Sequence, residues 1–424
     1  MALVGEQIVF GPFCLDPCSD YLLRDTQELP LRPQAFRVLR ALVANSGRHL
    51  DHEQMIRQAW DSAIVSKHTV TVTVGEVKKA LGEFSGWIRC HPRLGYCLEV
   101  PESEELLRTG WHFLNRHTRE GLEKAIDCFE QAARRDGAEI RALEGISLAH
   151  LLLGSHGMRP PREMYSRFLS AYRRVVEIRG LTPNLRVGRA FGLHIFERRF
   201  ADAEALLLEA ELERPNDVVG YVRLAMLYVA WKRMDDAVKT LAKARAADAL
   251  SPIFAMAEIL VRFCRRDYEG AVAYGKKVLD LHPYLHQVMT FYANALEFSG
   301  RVEEALAQYR QGCILASDLP WLRAMEATCL AKAGRTGAAE RILLELRLKQ
   351  QTDYVDGYHL ALLLHALRRP DEAFQELERA FEEGCPILSM LDADPKMDPL
   401  RSDQRFAPLR QKLFRNVATR GAEE

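Results

Sequence analysis

The fold turns on residues 66–83, SKHTVTVTVGEVKKALGE, a stretch that reads in two ways. Its core, TVTVTV, alternates with period two and is wholly β-branched, which is the composition of a strand. Yet Val70, Val74, Val77 and Leu81 fall at i, i+4, i+7 and i+11, one face of a helix. Helix formers close the run, with Gly82 as a stop. Periodicity does not decide between the two readings, so the flanking sequence must.

Upstream, Ile8 to Phe10, Tyr21 to Arg24 and Glu28 to Leu31 are short segments between Gly-Pro and Asp-Pro turn signals, and predict small antiparallel strands. Residues 32–47, RPQAFRVLRALVANSG, place Phe36, Leu39, Leu42 and Val43 on one helical face and stop near Gly47. Residues 49–60, HLDHEQMIRQAW, predict a second helix that buries Met55, Ile56 and Trp60, with Asp51 as its N-cap. Downstream, WIRCHPRLGYCLEV, residues 87–100, predicts two strands around HPRLG with Arg93 at the tip. Strands, three helices and a hairpin, in that order, make a winged helix-turn-helix.

GEVKKALGE followed by WIRCHPRLGYCLEV resembles the end of the OmpR/PhoB-type DNA-binding domain, where an Ile-Arg strand and a Gly-Tyr strand frame the wing. Here those residues are Ile88, Arg89, Gly95 and Tyr96, and the resemblance covers roughly residues 5–100. It favours the helix for residues 66–82. It also implies that this helix enters the major groove of double-stranded DNA while the wing grips phosphates. With Val70, Val74, Val77 and Leu81 inward, the opposite face presents His68, Val72, Gly75, Glu76 and Lys79, with Thr71 and Lys78 on its shoulders. The expected roles are phosphate contacts for Lys78 and Lys79, the minor groove or its phosphates for Arg93, and base edges or a thymine methyl for Thr71 and Val72. Lys67 and Arg89 complete a basic set of five against Glu76 and Glu83. One departure stands out: response-regulator members usually carry Arg where this chain has Gly75 and Glu76, and Glu76 is instead suited to accept from a cytosine amino group. In the family the loop between the second and third helices contacts RNA polymerase, here Asp61 to Ser66, and tandem dimers form on direct repeats, so a homodimer on DNA is expected.

Beyond Pro101 one motif recurs: a turn with a basic residue or Gly, then acidic residues, then an Ala that opens an amphipathic helix. The aligned alanines are Ala203, Ala237, Ala271, Ala305, Ala339 and Ala373, each 34 residues from the last. Small residues recur twelve positions earlier at Ala225, Ala293, Ala327 and Ala361. The period resembles the tetratricopeptide repeat, two antiparallel helices per copy. Degenerate copies at Ala125 and Ala171 extend it backwards, with an insertion near GSHGMRPPRE. Stacked copies leave a groove, for which Met226, Asn294, Thr328 and Tyr358 are the candidate lining, offered to an unknown protein or peptide. The arrangement, including the tail DPKMDPLRSDQRFAPLRQKL, is similar to CadC- and HilA-like regulators, without their transmembrane span where they have one.

The expected fold class is therefore mainly α. It comprises an N-terminal winged helix-turn-helix (α+β) over residues 1–101, an α-solenoid of tetratricopeptide repeats over 102–395 with about eight helix pairs, and a tail or capping helix over 396–424. In 424 residues, 58 basic side chains balance 58 acidic ones, which excludes a chain-wide basic field for nucleic acid or membrane. No apolar run approaches a membrane span, no signal peptide is evident, and nine cysteines without a CxxC pair point to a reducing cytoplasm. No GxxxxGK[ST], GxSxG or HExxH occurs, so no enzyme activity, cofactor or metal is expected. Asp392, Asp394 and Asp398 imitate a calcium loop but have Met397 and Asp403 at its sixth and twelfth positions, and read as a solvated turn. His282 and His286 have no third ligand. Cys90 and Cys97 sit on the two wing strands, where they would face each other if the register allowed, with two reduced cysteines the default. The reading is a sequence-specific DNA-binding transcriptional regulator of bacterial type whose array binds a partner or signal; the alternative is a repeat adaptor whose winged helix has lost DNA.

Overall fold

A computed structural model of the chain describes residues 8–16, 20–24, 27–61, 64–135, 139–316 and 319–415, the side chains of His286 and Gln287 excepted. Two compact units result, residues 1–113 with 125–142, and 114–124 with 143–424.

The first unit opens with an antiparallel sheet of β1 (Ile8–Phe10), β2 (Phe13–Asp16), β3 (Tyr21–Arg24) and β4 (Gln27–Leu29), in that order. β2 is absent from the sequence reading, yet Phe13 and Leu15 are fully buried. The Asp-Pro turn expected next lies partly outside the described residues. α1 (Pro33–Ala44) starts on a proline, whose missing N–H is no loss in a first turn. α2 (His52–Ala59) begins in a full capping box: Asp51 accepts from the Gln54 N–H and Gln54 accepts from the Asp51 N–H. It buries Met55, whereas Ile56 and Trp60 are half-buried.

Residues 67–81 are helical. α3 (Lys67–Leu81) is capped by the Ser66 hydroxyl on the Thr69 N–H and stops at Gly82, whose φ of +59° suits glycine. Burial decides against the strand. A strand would group Val72 with Val70 and Val74; the helix instead buries Val70, Val74, Val77 and Leu81 together and leaves Val72 46% exposed. Full burial of one such side chain contributes about 1.5–3 kcal/mol, and the β-propensity scale spans only about 1 kcal/mol. The threonines adapt by donating back to carbonyls, Thr71 to Lys67 and Thr73 to Thr69. A 3-10 turn over Gly82–Trp87 leads into the wing, β5 (Ile88–His91) and β6 (Gly95–Leu98), with Leu50 bridged to Tyr96 alongside. After the wing come α4 (Glu102–Leu114) and α5 (Arg119–Ala133); within the first unit Trp111 meets Phe129 edge-on.

The second unit is built from helices in sequence. They are α6 (Glu139–Ser155), α7 (Pro161–Arg179), α8 (Pro183–Gly192) with a π-helical turn over Leu193–Glu197, α9 (Phe200–Glu213), α10 (Val218–Ala230), α11 (Met234–Ala247) and α12 (Pro252–Cys264). There follow α13 (Tyr268–Leu281), α14 (His286–Phe298), α15 (Val302–Leu315), α16 (Pro320–Lys332), α17 (Thr336–Gln350), α18 (Gly357–Ala366) and α19 (Pro370–Glu382). From α9 on, alternate helices begin 34 residues apart, at Phe200, Met234, Tyr268, Val302, Thr336 and Pro370. Each marker alanine lies three residues into its helix and is completely buried, where a larger side chain would collide with the neighbouring pair. The turn before each of these helices carries a positive φ at the same register: Arg198, Lys232, Arg266, Gly300, Gly334 and Arg368. These are the basic-or-glycine positions of the sequence motif.

After α19 the chain forms 3-10 turns over Pro386–Met390 and Pro395–Leu400 and ends in α20 (Phe406–Phe414). Here the reading of a solvated aspartate turn is corrected. Asp394 is 4% exposed, accepts from the Tyr358 hydroxyl at 2.5 Å and pairs with Lys396 at 2.9 Å. Asp392 pairs with Arg410 at 2.7 Å and Asp398 with Arg266 at 2.6 Å. These three carboxylates fasten the last segment, and no metal-ligand cluster exists among the described residues.

Candidate nucleic-acid interface

The buried face of α3 fixes what the opposite face shows. His68, Val72, Gly75 and Lys79 are exposed on it in a line, and Lys67 is exposed at its start. Gly75 has a helical backbone, and a Cβ added there meets nothing within 4 Å. Lys78 is half-buried on one shoulder. On that same shoulder the Thr71 hydroxyl accepts from the Tyr96 hydroxyl at 3.1 Å and donates to the Lys67 carbonyl, so its only proton is committed within the domain. It is a tie between helix and wing before it is a reader of bases.

Glu76 is likewise engaged. Arg32, just before α1, holds both its carboxylate oxygens. Glu76, expected to accept from a cytosine amino group, is thus paired with an arginine 44 residues away in sequence, which offsets its charge. Glu83 is paired with Arg24 at 2.5 Å, and Arg89 with Glu99 at 3.0 Å. Arg24 and Arg32 carry no local signal, because each partner is distant in the chain; sequence reasoning missed both. Among the described residues, Lys67, Lys78, Lys79 and Arg93 remain without an acidic partner. Arg93 is exposed at the wing tip beside Leu94, itself 50% exposed.

The wing register separates its cysteines. Cys90 pairs with Tyr96 and Cys97 with Arg89, so the two thiols lie on opposite faces. Cys90 is exposed, and Cys97 is buried with its pKa raised, mainly by burial. Both are free thiols, in line with the reduced default, although Cys90 is exposed rather than packed. In the loop between α2 and α3, Asp61 pairs with Arg37 at 3.2 Å and Ile64 is fully exposed, while Ser62 and Ala63 lie outside the described residues.

Three of the four candidate groove residues of the array are buried. Asn294 is 3% exposed and accepts from the Tyr309 hydroxyl at 2.7 Å. Thr328 is buried and donates to the Ala324 carbonyl at 2.8 Å; Tyr358 is buried and donates to Asp394. Thr328 and Tyr358 are packing residues, closed off by neighbouring helices and, for Tyr358, by the final segment. Met226 is half-buried and, with Asn294, lines a cavity. The side chain of His286, one of the two histidines considered as ligands, lies outside the described set.

Residues 26–98 match the family described as transcriptional regulatory protein, C terminal. The transcriptional activator CadC of Escherichia coli K12 is 28% identical over 108 residues, 23% of this chain and 21% of CadC. The transcriptional regulatory protein CutR of Streptomyces coelicolor is 36% identical over 70 residues, 16% of this chain and 32% of CutR. The chain thus spans a third or less of the length of these curated relatives. Among solved structures, human IFIT1 determined as a dimer with m7Gppp-AAAA is similar in fold, at TM-score 0.52 and 15% identity, over 84% of this chain and 96% of that one. No helix among the described residues is long and apolar enough to cross a membrane.

Proposed function

Residues 26–98 form an OmpR/PhoB-type transcriptional regulator domain, and on that premise we propose that residues 1–101 bind double-stranded DNA in a sequence-specific way, with α3 in the major groove. The observation that carries this reading is the outer strip of α3, exposed along its length and bordered by cations that no carboxylate neutralises. Lys67, Lys79 and Arg93 take phosphates, with Lys78 reaching from the wing side. Val72 and His68 are left for base edges, Val72 as an apolar contact of the kind a thymine methyl accepts. The loop from Asp61 to Ser66 is the RNA polymerase contact, where an exposed Ile64 offers an apolar anchor, and self-association on direct repeats is expected on DNA. The repeat array over residues 102–395 receives a partner or signal, the segment from 396 on closes it, and the whole acts in the cytoplasm without enzyme activity.

Titrating the full chain against genomic duplex fragments at two salt concentrations tests this. Four phosphate contacts give a slope of log K against log salt near −3.6 by the rule of about −0.9 per contact, together with a defined footprint. Weak binding without a footprint would instead favour the adaptor reading, in which the winged helix is retained only for protein contacts.

A further inference from the structure

The second unit holds a cavity of about 240 Å3, the volume that about eight water molecules take up in the liquid. One wall is made by α10, α12, α14 and α16 with the π-helical turn, the helices that face inward in successive repeats. The rest is lined by residues 155–158, by Tyr354, Asp356 and His359, and by the chain's own segment from Cys385 to Lys396. What remains is a partly open pocket of a size for a small molecule.

Its walls are mostly apolar and adaptable, with Met226, Met256, Met325, Met390, Phe291 and Trp321 among them. The carboxylates at its edge are satisfied: Asp394 by Lys396 and Tyr358, Asp356 by His359 at 2.9 Å. Two donors are not. The Arg223 guanidinium lies over the Phe191 ring, 3.5 Å from its centroid, and no acidic side chain offsets its removal from water, so burial alone pushes its pKa down to about 10. His194 is 3% exposed and neither ring nitrogen has a partner, with Arg223 near enough to act on it. Arg223, half-buried in the cavity wall, thus lacks an anionic partner among the described residues.

We propose that this cavity binds a small monocarboxylic acid with an apolar body, its carboxylate on the Arg223 guanidinium, its body among the methionines. As a place where a signal is received, the site rests on the DNA-binding reading above; as a binding site it does not, and it is measured without DNA, so the two fail separately.

Calorimetric titration of the full chain with octanoate, octan-1-ol and octylamine tests it. One octanoate should bind per chain, the alcohol should bind about tenfold or more weakly for want of the charge-assisted bonds, and the amine should not bind. Arg223→Gln should erase the preference for acid over alcohol, and Arg223→Lys should retain part of it. The acid-to-alcohol ratio in the unaltered chain needs no variant, so a misfolded substitution leaves the test intact. Equal binding of acid and alcohol, no binding of either at millimolar concentration, or a preference that survives Arg223→Gln in a folded variant would overturn the proposal.

Discussion

Gly75 and Glu76 sit side by side on α3 and illustrate how differently single residues disclose themselves. Gly75 costs helix stability for no steric reason, since a methyl added there meets open space. Gly75→Ala should raise stability by about 0.5–1 kcal/mol, read as a higher urea midpoint; a loss would mean that the backbone at this point is not helical. Glu76 looks like a base reader in sequence and is an ion-pair partner in the fold, because Arg32 arrives from a distant turn. The buried face of α3 was legible, since apolar spacing is local; the ion pairs of Glu76 and Glu83 were not, since each is made by tertiary approach. Lys79 stays free of acids, so Lys79→Gln should weaken binding to all duplexes about equally and reduce the salt slope by about 0.9. An unchanged slope would show that Lys79 meets no phosphate.

Elements announce themselves by their ends as much as by their faces. The Ser66 hydroxyl caps α3, and Ser66→Ala should lower stability by about 0.5–2 kcal/mol in chemical unfolding; a strand over this region would be indifferent to the change. In the array, the recurring basic-or-glycine position of the sequence is the left-handed residue before each second helix. Gly300 and Gly334 take it freely, whereas Lys232, Arg266 and Arg368 take it under strain. Replacing Gly300 or Gly334 with Ala should therefore destabilise by about 1 kcal/mol, although no atom obstructs the added methyl, and Lys232→Gly should not destabilise. Equal effects at glycine and lysine positions would contradict a shared backbone geometry. The 34-residue period made these pairs readable. β2, as short as the strands read on either side of it, was not picked out. The last segment was misjudged because Asp392, Asp394 and Asp398 read as solvated when taken locally, whereas Arg410, Lys396 and Arg266 pair with them and Asp394 is buried.

At the scale of the whole molecule, the neutral total charge conceals unequal settings for its titratable groups. In the second unit His150 is pushed down to about 4 and His194 to about 3, burial being the main cause in both and nearby arginines the second. Both are neutral in the fold, while the unfolded chain takes up these protons below about pH 6.5. Stability from this source is therefore complete above that pH and falls as the pH is lowered, by about 1.4 kcal/mol per unit for each histidine. Between pH 7 and 5.5 the two together should remove about 2–3 kcal/mol from the unfolding free energy, and His150→Gln should halve that dependence; an unaltered dependence would place the titration elsewhere. The central claim concerns the other unit: that residues 67–81 form a helix whose outer strip reads a duplex. Selection from randomised duplexes with the full chain and with Val72→Arg tests it most directly. The account predicts that both proteins enrich a defined motif and that the two motifs differ at the bases under position 72. The same motif from both, or none from the unaltered chain, would contradict it.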